Sequence, residues 1–229
     1  MTYVKRKRKL RWSVIIPIFL LVGLGIAYLL YPKQVELESV ELPEVVTKEV
    51  GPDLNKNGIS DIEDIVIGAR KDALAMPEYV NAYYGGGYPP EDEGTCTDLV
   101  WRAFLEAGYS LKDMVDQDIA LDPYAYPSVN GRPDPNIDFR RVGNLVIFFE
   151  RTAISLTTDV YDTDQWQAGD IVIFGNNEHI GIVSDIRNDK DIPFLIHNND
   201  QPDREEDRLE YGDYTMGITA HFRFIPESN

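Results

Sequence analysis

The sequence predicts an α+β fold in which a helix that carries the only cysteine of the chain packs on an antiparallel β-sheet. Three observations lead to this prediction. Apolar residues recur at helical spacing directly after Cys96, so one face of that helix points inward. Short apolar runs separated by turn residues fill positions 171–225, which is typical of antiparallel strands. Twenty uncharged residues, 12–31, predict a separate transmembrane helix before the domain.

The composition is that of a globular chain, with 43% hydrophobic and 11% aromatic residues. The formal net charge is −17, and the first 32 residues carry only basic charges, so the rest of the chain is even more acidic. Such a domain repels nucleic acid, and we expect no nucleic-acid partner. A single cysteine also excludes an intrachain disulfide.

The chain divides into five predicted segments. The basic tail, 1–11, stays cytoplasmic by the positive-inside rule, and as a helix residues 12–31 would span about 30 Å. A cleaved signal peptide is the alternative, but the apolar run is long and no small-residue cleavage site follows it. An extended, charged linker at 32–52 leads to a calcium-type loop at 53–64 and a folded domain at 65–226. We therefore expect a single-pass membrane protein with its domain outside the cell.

The loop at 53–64 has the ligand spacing of an EF-hand, with Gly58 at the position of the sharp turn. It has Asp rather than Glu at position 12 and no entering helix, and so resembles the single calcium loops of dockerins. The alternative is an Asx-rich turn that caps a helix over about 62–75. The predicted ligands of a structural Ca²⁺ are Asp53, Asn55, Asn57, the Ile59 carbonyl, Asp61 and Asp64.

The helix that follows Thr95 places Cys96 in its first turn. Thr95 can cap this helix, Asp98 can reach back to it, and Gly108 can end it. Unsatisfied N–H groups and the helix dipole favour a thiolate at such a position, so Cys96 is a candidate nucleophile. The alternative is a small core residue, because free cysteine is often buried.

Two histidines follow Cys96 in an order that suits thiol catalysis. His179 opens a predicted strand, 179–185, and His197 lies near the end of the next one, 194–198. If these strands form a hairpin, the two rings lie at the same end of the sheet. Helix packing would then bring Cys96 to His179 as base, with His197, or else Asn198, orienting that base. Each histidine could instead be a satisfied strand or sheet-edge residue.

Other predicted elements surround these residues. Residues 113–118 and 142–151 read as helices, Pro77 as the start of a helical turn, and strands 171–174 and 218–225 complete a meander. Arginines 140 and 141 follow a rigid polar loop and could bind a substrate carboxylate, or else form an internal ion pair. No spacing of a catalytic zinc site is present. The candidate substrate contacts are Tyr83, Asp98, Arg140, Arg141 and Asn198.

Several motifs resemble one family over roughly residues 65–226. They are Tyr83-x-x-Gly86-Gly87, Gly94–Ala103, Pro133–Val142, Gly169–Phe174, His179–Asp185 and Ile196–Asn198. The closer resemblance is to the DUF1287 family, and the wider one is to the NlpC/P60 papain-like superfamily. The wider resemblance implies a papain-like fold, a triad at Cys96, His179 and His197, and cleavage of peptide bonds in bacterial cell-wall stem peptides. The usual Asp-Cys-Ser-Gly is replaced here by Thr95-Cys96-Thr97-Asp98.

The expected function is therefore that of a membrane-anchored extracellular cysteine hydrolase of amide bonds in peptidoglycan peptides, with no cofactor for catalysis. The first alternative is a non-catalytic, calcium-stabilised module that binds cell wall or another ligand. The second is a transferase that uses the same thioester chemistry.

Overall fold

The computed structural model describes residues 51–225, all of which belong to one compact unit. The predicted tail, the transmembrane segment 12–31 and nearly all of the linker lie outside the described residues. The predicted fold included a transmembrane helix, and this part is corrected, because no helix within 51–225 is long and apolar enough to cross a membrane. The longest helix in that range has 15 residues, and at about 1.5 Å per residue it falls short of a bilayer core.

The described range contains five α-helices and eight β-strands. Their bounds are α1 Asp61–Ala75, β1 Glu78–Tyr79, β2 Glu93–Gly94, α2 Cys96–Glu106, α3 Leu111–Leu121, α4 Val142–Thr152, β3 Ile154–Ser155, β4 Ile171–Phe174, β5 His179–Arg187, β6 Pro193–Ile196, β7 Glu205–Glu206, α5 Leu209–Met216 and β8 Ile218–Arg223. Short 3-10 turns lie at Asp138–Arg140 and Thr163–Gln165.

Helix α1 begins with a capping box, in which the Ser60 side chain accepts from the Glu63 N–H and the Glu63 carboxylate accepts from the Ser60 N–H. It packs directly on α2. Gly68 makes this close approach possible, since a Cβ at that position would lie 2.7 Å from Glu106 Cβ and 2.8 Å from Ala103 Cα. The predicted helix at about 62–75 is therefore confirmed, and it supports the helix that carries Cys96.

The main sheet has six strands in the order β3-β8-β4-β5-β6-β7, and every neighbouring pair is antiparallel. The α+β class and the antiparallel sheet are thus as predicted. The predicted meander is correct only for β4 to β7, because β8 returns from the end of the chain to lie between β3 and β4. That insertion pairs the free edge of β4, which a plain meander would leave exposed.

The two faces of the sheet bury different sets of side chains. Residues that alternate along β4, β5 and β6 face the helices: Ile171, Ile173, Ile180, Ile182 and Ile196. The intervening residues form a smaller cluster on the other face, together with Leu209 of α5: Val172, Phe174, Val183 and Leu195. The candidate site lies at the beginning of β5, where successive residues point to opposite faces.

Three local predictions differ from the structure. The residues after Pro77 form strand β1, which pairs in parallel with β2 at Tyr79 and Gly94, rather than a helical turn. Strand β6 ends at Ile196, so His197 and Asn198 lie just beyond it. Helix α5 was not predicted, because it has only eight residues and buries only Leu209.

Candidate active site

Cys96 is the first residue of α2 and is 5% exposed. The backbone N–H groups of Ile180 and Thr97 act on its sulfur in the direction that lowers the pKa of the thiol. Burial nevertheless raises the pKa of the thiol to about 11, which outweighs these donors. The sequence argument for a lowered thiol pKa is therefore wrong for this conformation, because it counted the helix start and omitted desolvation.

His179 and His197 are in direct contact, as the predicted hairpin requires. Strands β5 and β6 pair with Ile182 opposite Ile196, which brings the two histidines to the same end of the sheet. The His179 Nε2 and His197 Nδ1 atoms are 2.7 Å apart, and each residue is 7% exposed. The arrangement leaves the other ring nitrogen of His179, Nδ1, without a hydrogen-bond partner among the described residues.

Both rings are held in the neutral form. Burial, followed by the charge of His197, lowers the pKa of His179 to about 3. Burial, followed by the charges of Arg208 and Arg204, lowers the pKa of His197 to about 4. At neutral pH each ring therefore carries one proton, and a neutral imidazole can act as a base.

The thiol and the histidine pair lie on opposite faces of the sheet. Ile180 follows His179 directly, so its N–H brings the Cys96 sulfur to the beginning of β5. The His179 side chain points to the other face, where its neighbours include Phe174, with ring centroids 6.1 Å apart. Among the described residues no hydrogen bond joins the sulfur to His179. Proton transfer between them therefore needs a side-chain rotation or an intervening water.

A cavity of about 200 Å³ adjoins the histidine pair on the side of α5. Cys96 does not line it. Its lining combines apolar side chains with polar and charged ones, among them Gln201, Glu206 and Arg208. The lining includes Phe174, His179, Leu195, His197, Tyr211 and Met216.

Asp98 and Arg140 form a buried, bidentate ion pair, with contacts of 2.7 and 2.8 Å. The Asp98 carboxylate also accepts from the Thr95 N–H at 2.8 Å, as predicted for the helix start. Because Asp98 is 0% and Arg140 7% exposed, neither presents a free charge to a substrate. The internal ion pair is thus the alternative that describes Arg140.

The other predicted substrate contacts are tied into the loops around the site. Asn198 is buried and donates to the Gly94 carbonyl at 3.2 Å, which fastens the histidine loop to the chain just before Cys96. Arg141 pairs with Asp138 at 3.1 Å and stays partly exposed. The exposed Tyr83 hydroxyl donates to Asp134 at 3.2 Å and accepts from Asn136 at 2.9 Å.

The predicted calcium loop is closed by hydrogen bonds of its own. The side-chain amides of Asn55 and Asn57 donate to Asp64, and the Asp53 carboxylate accepts from backbone N–H groups. Asp61 is turned away, since it accepts from the Leu54 N–H and the Tyr109 hydroxyl. Within residues 51–225 no group of three or more His, Cys, Asp or Glu side chains could hold a metal ion. As arranged, the donor set does not fit Ca²⁺, and the predicted site stays a prediction.

Sequence reasoning missed three residues beside the site. Glu206 Oε1 lies 3.2 Å from His197 Nε2, and Gln201 Nε2 lies 3.0 Å from the same nitrogen. Tyr79 is half-buried next to the thiol, and burial followed by the charges of Cys96 and Asp98 raises its pKa. Their spacing in sequence carries no signal, because loops and paired short strands bring them to the site.

Comparison with known proteins identifies the family. A family model described as "Domain of unknown function (DUF1287)" matches residues 66–224. The "Uncharacterized protein YijF" of Escherichia coli (strain K12) is 37% identical over 154 residues, which cover 65% of this chain and 73% of that protein. No solved structure matches the chain. The family match includes Cys96 and both histidines of the pair, and the chain is a member of the DUF1287 family.

Proposed function

We propose that this protein is a cysteine-dependent hydrolase of amide bonds, of the NlpC/P60 papain-like type, with peptides of the bacterial cell wall as its substrate class. The observation that carries the proposal is the contact between His179 and His197 at 2.7 Å, at the point of β5 where the Ile180 N–H binds the Cys96 sulfur. Nucleophile, base and orienting group are the three parts that thiol catalysis needs. The substrate class comes from the motif resemblance.

In the proposed reaction the neutral thiol gives its proton to His179 as the sulfur attacks the carbonyl carbon of the amide. Little thiolate exists beforehand, because burial raises the pKa of the thiol, so the proton moves to His179 as the sulfur attacks, after a side-chain rotation or through an intervening water. The backbone N–H group of Cys96 has no carbonyl acceptor within the helix and would stabilise the oxyanion. The His179 imidazolium then protonates the leaving amine, and water hydrolyses the thioester.

The cavity beside the histidine pair is suited to the leaving-group side of the substrate. It adjoins His179, which protonates the amine, and lies away from Cys96, which retains the acyl part.

Purified muropeptides incubated with the full chain test the proposal, with released fragments measured by mass spectrometry. Cys96→Ala and His179→Ala are expected to abolish release, while circular dichroism shows an unchanged fold. Thr152→Ala, a helix-end residue outside the site, is the matched control and should retain turnover. Wild-type turnover in either site variant would contradict the mechanism.

A non-catalytic binding module on the same fold is the second candidate, and the burial of Cys96 favours it. The two candidates differ in thiol reactivity. An enzyme whose His179 can reach the sulfur should be alkylated by iodoacetamide much faster than its His179→Ala variant. A binding module should be alkylated slowly, and equally in both proteins. Addition of an amine to the muropeptide assay detects acyl transfer, the third possibility.

A further inference from the structure

The His197 ring has two possible partners at its Nε2 atom, and they require opposite protonation. Glu206 Oε1, 3.2 Å away, can only accept a hydrogen bond when it is ionised. Gln201 Nε2, 3.0 Å away, can only donate a hydrogen bond. The Gln201 amide cannot be exchanged end for end without loss, because its oxygen already accepts from the Asn199 N–H at 2.6 Å and its nitrogen donates to the His197 carbonyl at 3.1 Å.

The choice at His197 determines which nitrogen of His179 is protonated. If His197 Nε2 donates to Glu206, its Nδ1 holds a lone pair and accepts from His179 Nε2–H. His179 Nδ1 is then unprotonated and can take a proton. If His197 Nε2 instead accepts from Gln201, its Nδ1 donates to His179 Nε2, and His179 Nδ1 already carries its proton. Only the first arrangement leaves a base at His179 Nδ1.

We propose that Glu206 is a positioning residue that fixes the tautomers of His197 and His179, so that His179 Nδ1 is the free base of the site. The proposal rests on the proposed function for its role in turnover, but the tautomers themselves do not depend on any substrate. A hydrogen bond to an ionised carboxylate is roughly twice as strong as one between neutral groups, so Glu206 prevails over Gln201.

The surroundings hold Glu206 in place for this task. Its second oxygen accepts from Arg208 Nε at 2.8 Å, which fixes the carboxylate. Strand β7 pairs with β6 so that Glu206 lies opposite Leu195, on the face of the sheet that carries the histidine pair. Arg208 and Arg204 also disfavour a second proton on His197, so that ring carries one proton and its tautomer is a definite choice.

Long-range ¹H–¹⁵N NMR of the full chain, labelled in its three histidines, reads the protonated nitrogen of each ring directly. We expect Nε2–H on both His179 and His197 in the wild-type protein. Glu206→Leu removes the acceptor and leaves Gln201 in control, so both rings should change to Nδ1–H. Gln201→Leu is the matched control. It removes the donor and should keep the wild-type tautomers.

Each outcome decides the proposal. Nδ1–H on His179 in the wild-type protein would overturn it, and so would unchanged tautomers in Glu206→Leu. Arg208→Met keeps the carboxylate but removes its anchor, and retention of the wild-type tautomers there shows that Glu206 itself is responsible. Backbone amide spectra of each variant check that the fold is intact, and Glu206→Asp tests rescue by a shorter carboxylate if Glu206→Leu does not fold.

The turnover assay separates this inference from the proposed function. If the protein is a hydrolase, Glu206→Leu should lower kcat about 10- to 100-fold, because the base is mispositioned. If no amide substrate is cleaved but the tautomers change as stated, the proposed function fails and the positioning role of Glu206 stands.

Discussion

His221 and His179 lie in strands of the same sheet, and His197 follows the next strand directly, but the nitrogens of His221 and of the pair have different partners. His221 is held by acceptors on both sides, with Nε2 2.9 Å from Asp170 Oδ2 and Nδ1 2.7 Å from the Thr157 carbonyl. Its ring stacks on Trp166 at a centroid distance of 3.7 Å. In the pair, each ring instead faces the other, and His179 Nδ1 keeps a lone pair. A histidine whose nitrogens are both occupied stabilises the fold, whereas His179 retains an atom for chemistry.

The largest expected effect separates the two histidines by activity. His179→Ala should lower amide turnover by about 10²–10⁴-fold, which is the usual contribution of a general base. His221→Ala should leave turnover per folded molecule within about threefold, because its ring reaches no part of the site. Turnover corrected for the folded fraction measures both. Equal losses in the two variants would remove the distinction.

Substitutions in the cluster around His221 should lower stability more than substitutions in the histidine pair. Asp170→Asn removes the carboxylate that His221 and Arg223 share within the protein, and Asp170 is only 1% exposed. Breaking a buried ion pair from one side typically costs about 3–5 kcal/mol. Urea unfolding should therefore show a much lower midpoint for Asp170→Asn than for His197→Gln. A small loss in Asp170→Asn would show that this cluster contributes little to the fold.

The histidine pair should make the protein sensitive to acid. Burial lowers the pKa of His179 to about 3. Below about pH 6.5 this histidine is therefore protonated in the unfolded chain but stays neutral in the folded protein. Stability is then fully present above pH 6.5 and is lost as pH falls toward 3, by up to about 1.4 kcal/mol per unit for this group. Urea midpoints from pH 7 to 4 measure this slope. His179→Asn should flatten it, and an unchanged slope would assign the sensitivity elsewhere.

The smallest expected effect concerns the loop at 53–64. If the loop rearranges to bind Ca²⁺, 1 mM calcium should raise the melting temperature by a few degrees relative to EDTA, since a ligand at about ten times its Kd adds about 1.4 kcal/mol. Asp53→Ala should abolish the shift, and Asp134→Ala, in a distant loop, should not. An unaltered melting temperature would leave the loop as the hydrogen-bonded cap of α1.

Sequence patterns identified the parts that local physics determines. Helix α2 begins at Cys96 because Asp98 reaches back to Thr95, and β4 has the predicted bounds because its four apolar residues are bracketed by turns. The contact between His179 and His197 followed from hairpin geometry alone. The roles of Arg140 and Asp98 could not be separated in this way, because only packing decides whether a charge is paired inside or offered outside.

Long-range geometry explains what the sequence left out. Glu206 reaches His197 through the pairing of a two-residue strand, which no periodicity marks. The raised pKa of Cys96 depends on how deeply α2 is covered, which is a property of the whole domain. Likewise, spacing predicts Asp61 as a calcium ligand, but its carboxylate accepts from the Leu54 N–H and from the hydroxyl of Tyr109, which lies 48 positions away in sequence.

The position of β8 affects when the sheet can be completed during synthesis. This strand, Ile218–Arg223, lies between β3 and β4, so the sheet cannot be completed before these residues have been synthesised. Until then the edge of β4 stays unpaired. A chain that lacks Ile218–Arg223 would keep Cys96 and both histidines of the pair, but it would lack the strand that joins β3 to β4.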